Sequence, residues 1–283
     1  MMLALTIGMG LLIGLSLGAL GGGGSILTVP ALVYVIGQDA KAATTSSLFI
    51  VGISALIGAL GHHRSGRVRW GTGVAFGITG IAASFAGTAA NRLVQPDVLL
   101  LAFAVLIVVA AAGMFSKSGT AAQRKDPARA LVPAGGSTPA GAEPPADAEK
   151  RSLGSGWTWP RVTKVLAAGL AVGFMTGFFG VGGGFVIVPA LTLALGMAMP
   201  EAVATSLVVI AINSGAALLF RAGSAHFDWA VIVPFTVAAI AGSLTGKLVA
   251  DKLNARTLTR AFAVLLVAVA VYTATQSVIG LAG

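Results

Sequence analysis

The amino-acid sequence predicts an all-α polytopic membrane protein made of two tandem homologous halves. It reads as an inverted repeat in which each half opens with a glycine-broken hydrophobic segment. Three observations carry this expectation: the composition of a bilayer-embedded chain, a gapless internal repeat, and a swap of loop charge between the copies. Of the 283 residues, 56% are apolar and 10% are charged, and the mean hydropathy is +0.93. Several apolar runs reach the roughly 20 residues needed to cross a bilayer. The first run is not read as a cleavable signal, because nothing basic precedes it and it leads straight into further apolar sequence. Cysteine is absent, which removes disulfides, thiolate metal sites and cysteine catalysis. The formal charge of +9 does not point to nucleic acid, because all nine acids and nearly all eighteen basic residues lie between or at the ends of apolar runs. Charges placed there mark the water interface and set orientation.

The repeat is legible residue by residue. In the first copy Gly14-x3-Gly18-x2-Gly21-x-Gly23-Gly24 precedes Pro30-Ala31-Leu32 and Gly37. At a constant offset of 159 residues, Gly173-x3-Gly177-x2-Gly180-x-Gly182-Gly183 precedes Pro189-Ala190-Leu191 and Gly196. The same offset carries Ser47-Leu48 onto Ser206-Leu207, Trp70 onto Trp229, Gly87 onto Gly246, and Ala102 to Leu106 onto Ala261 to Leu265. Paired broken segments at equivalent places in two hydrophobic halves are the sequence pointer to a transporter's binding site.

Apolar segments fall at about 3–20, 25–36, 42–60, 72–90 and 97–115, with counterparts near 164–180, 184–195, 201–220, 230–248 and 258–279. This corresponds to eight to ten membrane segments, depending on whether each broken segment crosses or turns back. The expected organisation is a first membrane repeat over 1–115, a flexible cytoplasmic linker over 116–162, and a second repeat over 163–283. The linker is rich in Ala, Pro, Gly and charge, as in Thr138-Pro139-Ala140-Gly141-Ala142-Glu143-Pro144-Pro145, and buries too little apolar surface to fold.

Loop charge orients the segments. The loop near 61–70 holds Arg64, Arg67 and Arg69 without an acid and reads as cytoplasmic, whereas 91–97 balances Arg92 against Asp97. The linker ends, with Lys117, Arg124 and Lys125 and then Arg161 and Lys164, also read as cytoplasmic. In the second copy the pattern reverses. The loop at 221–229 carries one Arg and one Asp, whereas 247–260 carries Lys247, Lys252, Arg256 and Arg260 against Asp251. Each copy then makes an odd net number of crossings. Three full helices plus a re-entrant hairpin satisfy this, as do five crossings with one short helix, and both put the termini outside.

Four adjacent glycines at 21–24 each cost about 1 kcal/mol in a helix relative to alanine, so a chain break is expected there. At membrane depth such a break survives only inside protein or beside a water-filled cavity. A helix restarting near Ser25, or near Gly184–Phe185, points free amides and a positive dipole end into that space. Such ends bind anions without a buried cation. Gly10, Gly14 and Gly173, spaced by four, read instead as packing ridges. Neither tract has the Gly-Lys-Ser/Thr of a nucleotide loop or dinucleotide spacing.

A hydroxyl-rich stretch follows each break: Thr44-Thr45-Ser46-Ser47 and Thr205-Ser206. These residues are ordinary caps, helix–helix hydrogen bonds or substrate ligands. Asn213 and its counterpart Ser54 are subsidiary candidates. His62 and His63 are placed in the arginine loop at the interface and His226 in the opposite loop, with exposure the default reading and proton transfer the alternative. The arginines read as topology anchors. No Asp, Glu, Lys or Arg interrupts the middle of an apolar segment, which disfavours coupling through a buried carboxylate. An embedded enzyme is likewise disfavoured by the lack of an acid pair, a nucleophile–base pair or a metal cluster. No cofactor and no metal are expected.

At these residues the chain resembles the TauE/SafE family of sulfite-exporter-like anion permeases. The resemblance lies in the Gly-x3-Gly…Gly-x-Gly-Gly…Pro-x-Leu run, then Ser/Thr-Ser-Leu, then a Trp after the arginine or aspartate loop. Both halves show it, as Gly18 to Pro30, Ser46-Ser47-Leu48 and Trp70, then Gly177 to Pro189, Thr205-Ser206-Leu207 and Asp228-Trp229. The copies differ at Gly22 against Val181 and at Ser25 against Gly184. The resemblance implies passage of sulfite, thiosulfate, sulfoacetate or a similar oxyanion or organosulfonate across a bacterial inner membrane. The residues themselves suggest a site formed by Gly23, Gly24, Ser25, Thr45, Ser46, Ser47, Gly182, Gly183, Gly184, Thr205, Ser206 and Asn213, with membrane lipid as the surrounding partner. The alternatives are a proton- or cation-coupled importer of a related anion and a non-transporting membrane assembly protein.

Overall fold

The computed structural model describes residues 2–63, 65–91, 93–94, 102, 105–114, 159–179, 184–221 and 227–282. Most of the expected linker, together with Arg64, Arg92, Asp97, Gly182, Gly183 and His226, lies outside the described residues. Within them the chain is helical, and they contain no strand. The elements are α1 (Met2–Leu20), α2 (Gly23–Pro30) with a continuing π-helical turn (Ala31–Val35), α3 (Ala40–His63) and α4 (Trp70–Asn91). There follow α5 (Val105–Met114), then α6 (Trp159–Phe179), α7 (Gly184–Leu193), α8 (Met199–Arg221), α9 (Trp229–Lys252) and α10 (Ala255–Ala282). Six of these, α1, α3, α4, α6, α8 and α9, are long and apolar enough to cross a membrane. The chain is therefore an all-α polytopic membrane protein. Helix α6 starts at Trp159, ahead of the apolar segment expected near 164.

The internal repeat is visible in backbone detail at the ends of the short helices. Pro30 and Pro189 lie inside α2 and α7. Downstream, Ile36 N–H donates to Ala31 O at 3.2 Å and Leu195 N–H to Ala190 O at 3.4 Å. Gln38 N–H and Met197 N–H then donate to Leu32 O and Leu191 O at 2.9 and 3.1 Å. Equivalent residues thus end equivalent helices with the same widened turn.

Two glycine seams hold the halves together, and each joins a helix of one half to a helix of the other. Gly14 of α1 lies on the backbone of Ala239 and Gly18 on that of Ser243, while Gly242 and Gly246 of α9 lie on the backbone of Leu11 and Leu15. In the matching seam, Gly173 of α6 lies on Gly80, Gly177 on Ser84, and Gly87 of α4 on Phe174 and Phe178. Close backbone approach of this kind maximises dispersion contacts where lipid removes the hydrophobic drive to associate. The small-residue ridges expected at Gly10, Gly14 and Gly173 are packing surfaces, and Gly18 and Gly177 extend them.

Contact register gives the helix directions. Along both seams a step of four residues in one helix matches a step of four in the other, so α1 runs parallel to α9 and α6 parallel to α4. Gly58 and Gly61 of α3 meet Ser243 and Lys247, which makes α3 parallel to α9; Gly73 and Gly77 of α4 meet Val208 and Ile212, which makes α4 parallel to α8. Gly52 meets Ser214 whereas Gly58 meets Leu207, so α3 and α8 are antiparallel. Helices α1, α3 and α9 thus share one direction and α4, α6 and α8 the other.

The first broken segment is a hairpin. Gly24 of α2 backs onto Ile13 O and Leu17 of α1, and Leu27, Ala31 and Leu32 pack with Met9 and Ile13. Gly37, Gln38 and Asp39 then line a cavity of about 510 Å³ together with Met2, Leu3 and Thr6. The chain has returned to the end at which α1 began, as a re-entrant segment does.

A seam that admits no Cβ makes a direct prediction. Gly14→Leu should destabilise the protein by more than the ~1–3 kcal/mol typical of overpacking, because the obstruction is backbone. Gly8→Ala, at a position with open space, should be neutral or slightly stabilising by helix propensity. Unfolding in detergent followed by circular dichroism checks both, and equal effects of the two changes would contradict the seam.

Candidate functional site at the paired helix breaks

The first break meets the start of the second short helix. Helix α1 ends at Leu20, and Gly21 turns the chain with φ +71°, donating its N–H to Leu17 O at 2.8 Å. That left-handed conformation costs a non-glycine residue about 1–2 kcal/mol. Gly22 then caps α2 and packs directly on the Gly184 carbonyl and Phe185 N at the start of α7. Gly184 in turn lies against the Ser25 side chain. The first turns of α2 and α7 therefore abut.

Each first turn carries amides without an intrahelical acceptor and a partial positive charge of about half a unit. Two such ends in contact amount to about one positive charge with no ionisable side chain. Hydroxyls surround it. Ser25 Oγ donates to Gly22 O at 2.7 Å. Ser206 Oγ donates to Val203 O at 2.8 Å and is the nearest atom to Gly21 from α8. Both hydroxyls donate to backbone carbonyls of their own segments, which leaves their oxygen lone pairs and the helix amides at the break. The Val188 side chain closes the apolar side, and the Val203 carbonyl that Ser206 bonds faces the same turn.

The structure distributes the expected site residues unequally. It brings Ser25, Gly184 and Ser206 together with Gly21 and Gly22. Gly23 opens α2 but faces Leu265 of α10, and Gly24 is spent on packing against α1. Thr205 is turned toward α4, where its Oγ1 accepts from Arg69 N–H at 3.2 Å. Its counterpart Ser46 is fully buried, and its Oγ has no partner. Ser47 Oγ donates to Thr44 O at 2.8 Å, and Thr45 is buried nearby on α3. Asn213 looks toward Gly80 at the α4–α6 seam, two turns from Ser206, and its Oδ1 is unpartnered.

The charged residues do more than anchor the ends. Arg69 makes two bonds to Glu201 at the start of α8, 2.9 and 3.1 Å long, and Arg67 pairs with Asp251, which Lys247 also meets at 3.3 Å. These pairs join the halves, but the Arg69 and Glu201 side chains are 38% and 32% exposed, so their net stabilisation is screened to about 0–1 kcal/mol. His63 is exposed and accepts from Trp70 Nε1–H at 3.0 Å. His62, by contrast, corrects the expectation of an exposed loop histidine: it lies in the last turn of α3 and is 1% exposed. Helix α3 simply continues past the apolar run, and its last turn rotates this ring inward. Helical phase from Ser54, at i, i+4 and i+8, was the available signal.

These features define a multi-pass helical membrane protein built around two short helices whose first turns abut, and comparison with known proteins gives its family. The sequence profile described as Sulfite exporter TauE/SafE matches residues 6–273. The chain belongs to the TauE/SafE sulfite exporter family. A relative from Xylella fastidiosa strain 9a5c, named "Probable membrane transporter protein", is 32% identical over 95% of this chain and 94% of its own length. A Bacillus subtilis relative, "Probable membrane transporter protein YunE", is 24% identical over 92% of each chain. A third, "Probable membrane transporter protein MJ0441" from Methanocaldococcus jannaschii, is 26% identical over 76% of this chain and 70% of its own. No solved structure matches the chain significantly. The protein is a membrane transporter of the bacterial inner membrane.

The contact between the breaks is testable without a substrate. Gly22→Ala places a methyl group on the Gly184 backbone and should lower stability by roughly 1–3 kcal/mol. Ser25→Ala, which removes one hydroxyl bond, should cost about 0.5–1.5 kcal/mol. Thermal unfolding of both variants in one detergent checks the ranking.

Proposed function

We propose that the protein carries a small sulfur oxyanion, sulfite or an organosulfonate, outward across the membrane by alternating access, with the anion held between the helix breaks. The observation that carries this reading is the abutment of the first turns of α2 and α7, with the Ser25 and Ser206 hydroxyls and the Val188 side chain beside them. Two positive dipole ends facing one another repel, and a small anion between them converts that repulsion into attraction at both ends. Amides of Gly23 and Gly184, together with Gly182, Gly183 and the unpartnered Ser46 hydroxyl, would supply its donors, and the Ser25, Ser47 and Ser206 hydroxyls would do so on turning away from the carbonyls they bond. Thr45 and Thr205 lie on the same helices as these hydroxyls, whereas Gly24 packs on α1 and Asn213 faces the α4–α6 seam. In this reading the chain moves its substrate unchanged and catalyses no bond chemistry.

The opposite directions of equivalent helices (α1 and α6, α3 and α8, α4 and α9) support an inverted repeat. Related halves of that kind rock about a central site to expose it alternately. An interior-negative potential contributes about 2.3 kcal/mol per charge per 100 mV toward anion exit, so efflux needs no coupling ion.

Purified protein in liposomes, loaded with sulfite and clamped by a potassium–valinomycin potential, tests this. Flux should follow the sign of the voltage and be inhibited by organosulfonates. Ser206→Ala combined with Ser47→Ala should raise the half-saturating concentration roughly tenfold or more, the effect of losing hydrogen bonds to a charged group. Unchanged kinetics would remove the hydroxyls from the site. Flux that vanishes without a pH gradient at clamped voltage would favour a proton-coupled importer.

A further inference from the structure

Among the side chains whose burial is described His62 is the one ionisable group withdrawn from water, and the transport reading gives it no task. Its Nε2 stands 3.5 Å from Gly18 O. A carbonyl only accepts, so Nε2 carries the hydrogen. Gly18 belongs to the last turn of α1, whose carbonyls have no intrahelical donor, and it lies three residues before Gly21, where the break begins. His62 therefore caps the first half of the broken helix from a neighbouring helix.

The other ring nitrogen, Nδ1, is buried without a partner. It is not alone. Ser243 of α9 is fully buried against Gly18 and Gly58, and its Oγ has no partner. Ser54, on the same face of α3 eight residues before His62, is also fully buried with an unpartnered Oγ. Buried polar atoms without partners number only a few per hundred residues in native structures. Here three follow one face of α3, with Ser243 Oγ meeting Gly58 between Ser54 and His62. The matching seam of the other half differs: Arg221 stands in place of His62 and Ala217 in place of Gly58, and Ser84, the counterpart of Ser243, bonds to Ile81 O at 2.8 Å.

The charges facing the ring come from two sides. Helix α9 contributes Lys247 and Asp251, and the α3–α4 connection contributes Arg67. Helix α1 contributes only the Gly18 backbone carbonyl, and on α3 itself His63 is exposed and bound by Trp70. Burial of the ring, then Lys247 and Arg67, oppose a proton on His62, whereas the bond to Gly18 O, Asp251 and the negative end of the α1 dipole favour one.

We propose that His62 is a proton-binding site, accepting at Nδ1, whose occupancy clamps the end of α1 beside the helix break. A proton at Nδ1 makes Nε2–H a stronger donor to Gly18 O and adds attraction to the C-terminal end of α1. The clamp opposes any rocking that moves α1 against α3, so protonation slows transport. The existence of the site is independent of the transport reading; only its consequence for flux rests on that reading.

Two measurements separate the two. In protein labelled with 15N-histidine and 13C-glycine in lipid bilayers, the His62 ring, assigned by its loss in His62→Gln, should titrate between about pH 5 and 8. The Gly18 carbonyl resonance should shift with it. In liposomes with equal pH on both sides, sulfite flux at the acid end should be roughly fivefold slower, the low end of coupling between distinct sites. His62→Gln, which keeps an N–H donor but cannot titrate, should lose that slowing and keep only the pH dependence imposed by protonation of sulfite itself. A ring that stays in one protonation state over that range, or a Gly18 carbonyl indifferent to it, overturns the proton site whatever the flux does. A pH profile shared by wild type and His62→Gln overturns the clamp. Absence of sulfite flux together with an intact titration would count against the substrate and support the proton site.

Discussion

The rest of the structure depends on backbone resting on backbone at the two glycine seams. Inside a bilayer, association cannot draw on release of water from apolar surface, so helices adhere through close packing. Gly14 and Gly18 against Ala239 and Ser243, with Gly173 and Gly177 against Gly80 and Ser84, give that closeness. Each seam pairs the first helix of one half with the fourth helix of the other. The halves are therefore interlocked rather than placed side by side.

The interlock makes the breaks affordable. A chain reversal at membrane depth leaves amides and carbonyls without intrahelical partners, and in lipid each would cost several kcal/mol. Here the first break is surrounded by protein on every described side: α7 and α8 at Gly21 and Gly22, α10 at Gly23, and α1 at Gly24. Packing thus protects an arrangement in which two helix ends of like sign meet. That arrangement is electrostatically unsatisfied on its own, and the anion reading follows from this tension rather than from any charged side chain. The ion pairs at one end, Arg69 with Glu201 and Arg67 with Asp251, sit at the water boundary where such charges are tolerable.

Much of this was legible beforehand, for identifiable reasons. Helix positions followed from apolar runs, because a bilayer demands about 20 such residues per crossing. The break followed from Gly21 to Gly24, because nothing else explains four adjacent glycines in an apolar run. The division between packing and site glycines was less readable. Gly18 and Gly24 look alike in sequence to their neighbours, yet each meets backbone or side chains of α9 or α1. Thr205 and Ser206 show the same difficulty: adjacent residues on a helix diverge by about 100°, so one faces Arg69 and the other the break. His62 was misplaced because hydropathy ends a segment where polarity rises, whereas a helix ends where its hydrogen bonding does.

By itself the sequence determined the membrane class, the tandem halves, the location of the breaks and the family resemblance. All of these are properties of composition and spacing along the chain. Only the tertiary structure decided that the first broken segment is a hairpin, that each seam joins opposite halves, that Gly22 meets Gly184, and that Ser206 rather than Thr205 reaches the break. Apart from the hairpin, those are relations between residues more than ninety positions apart, and all are set by helix phase and direction, so no local pattern encodes which faces meet.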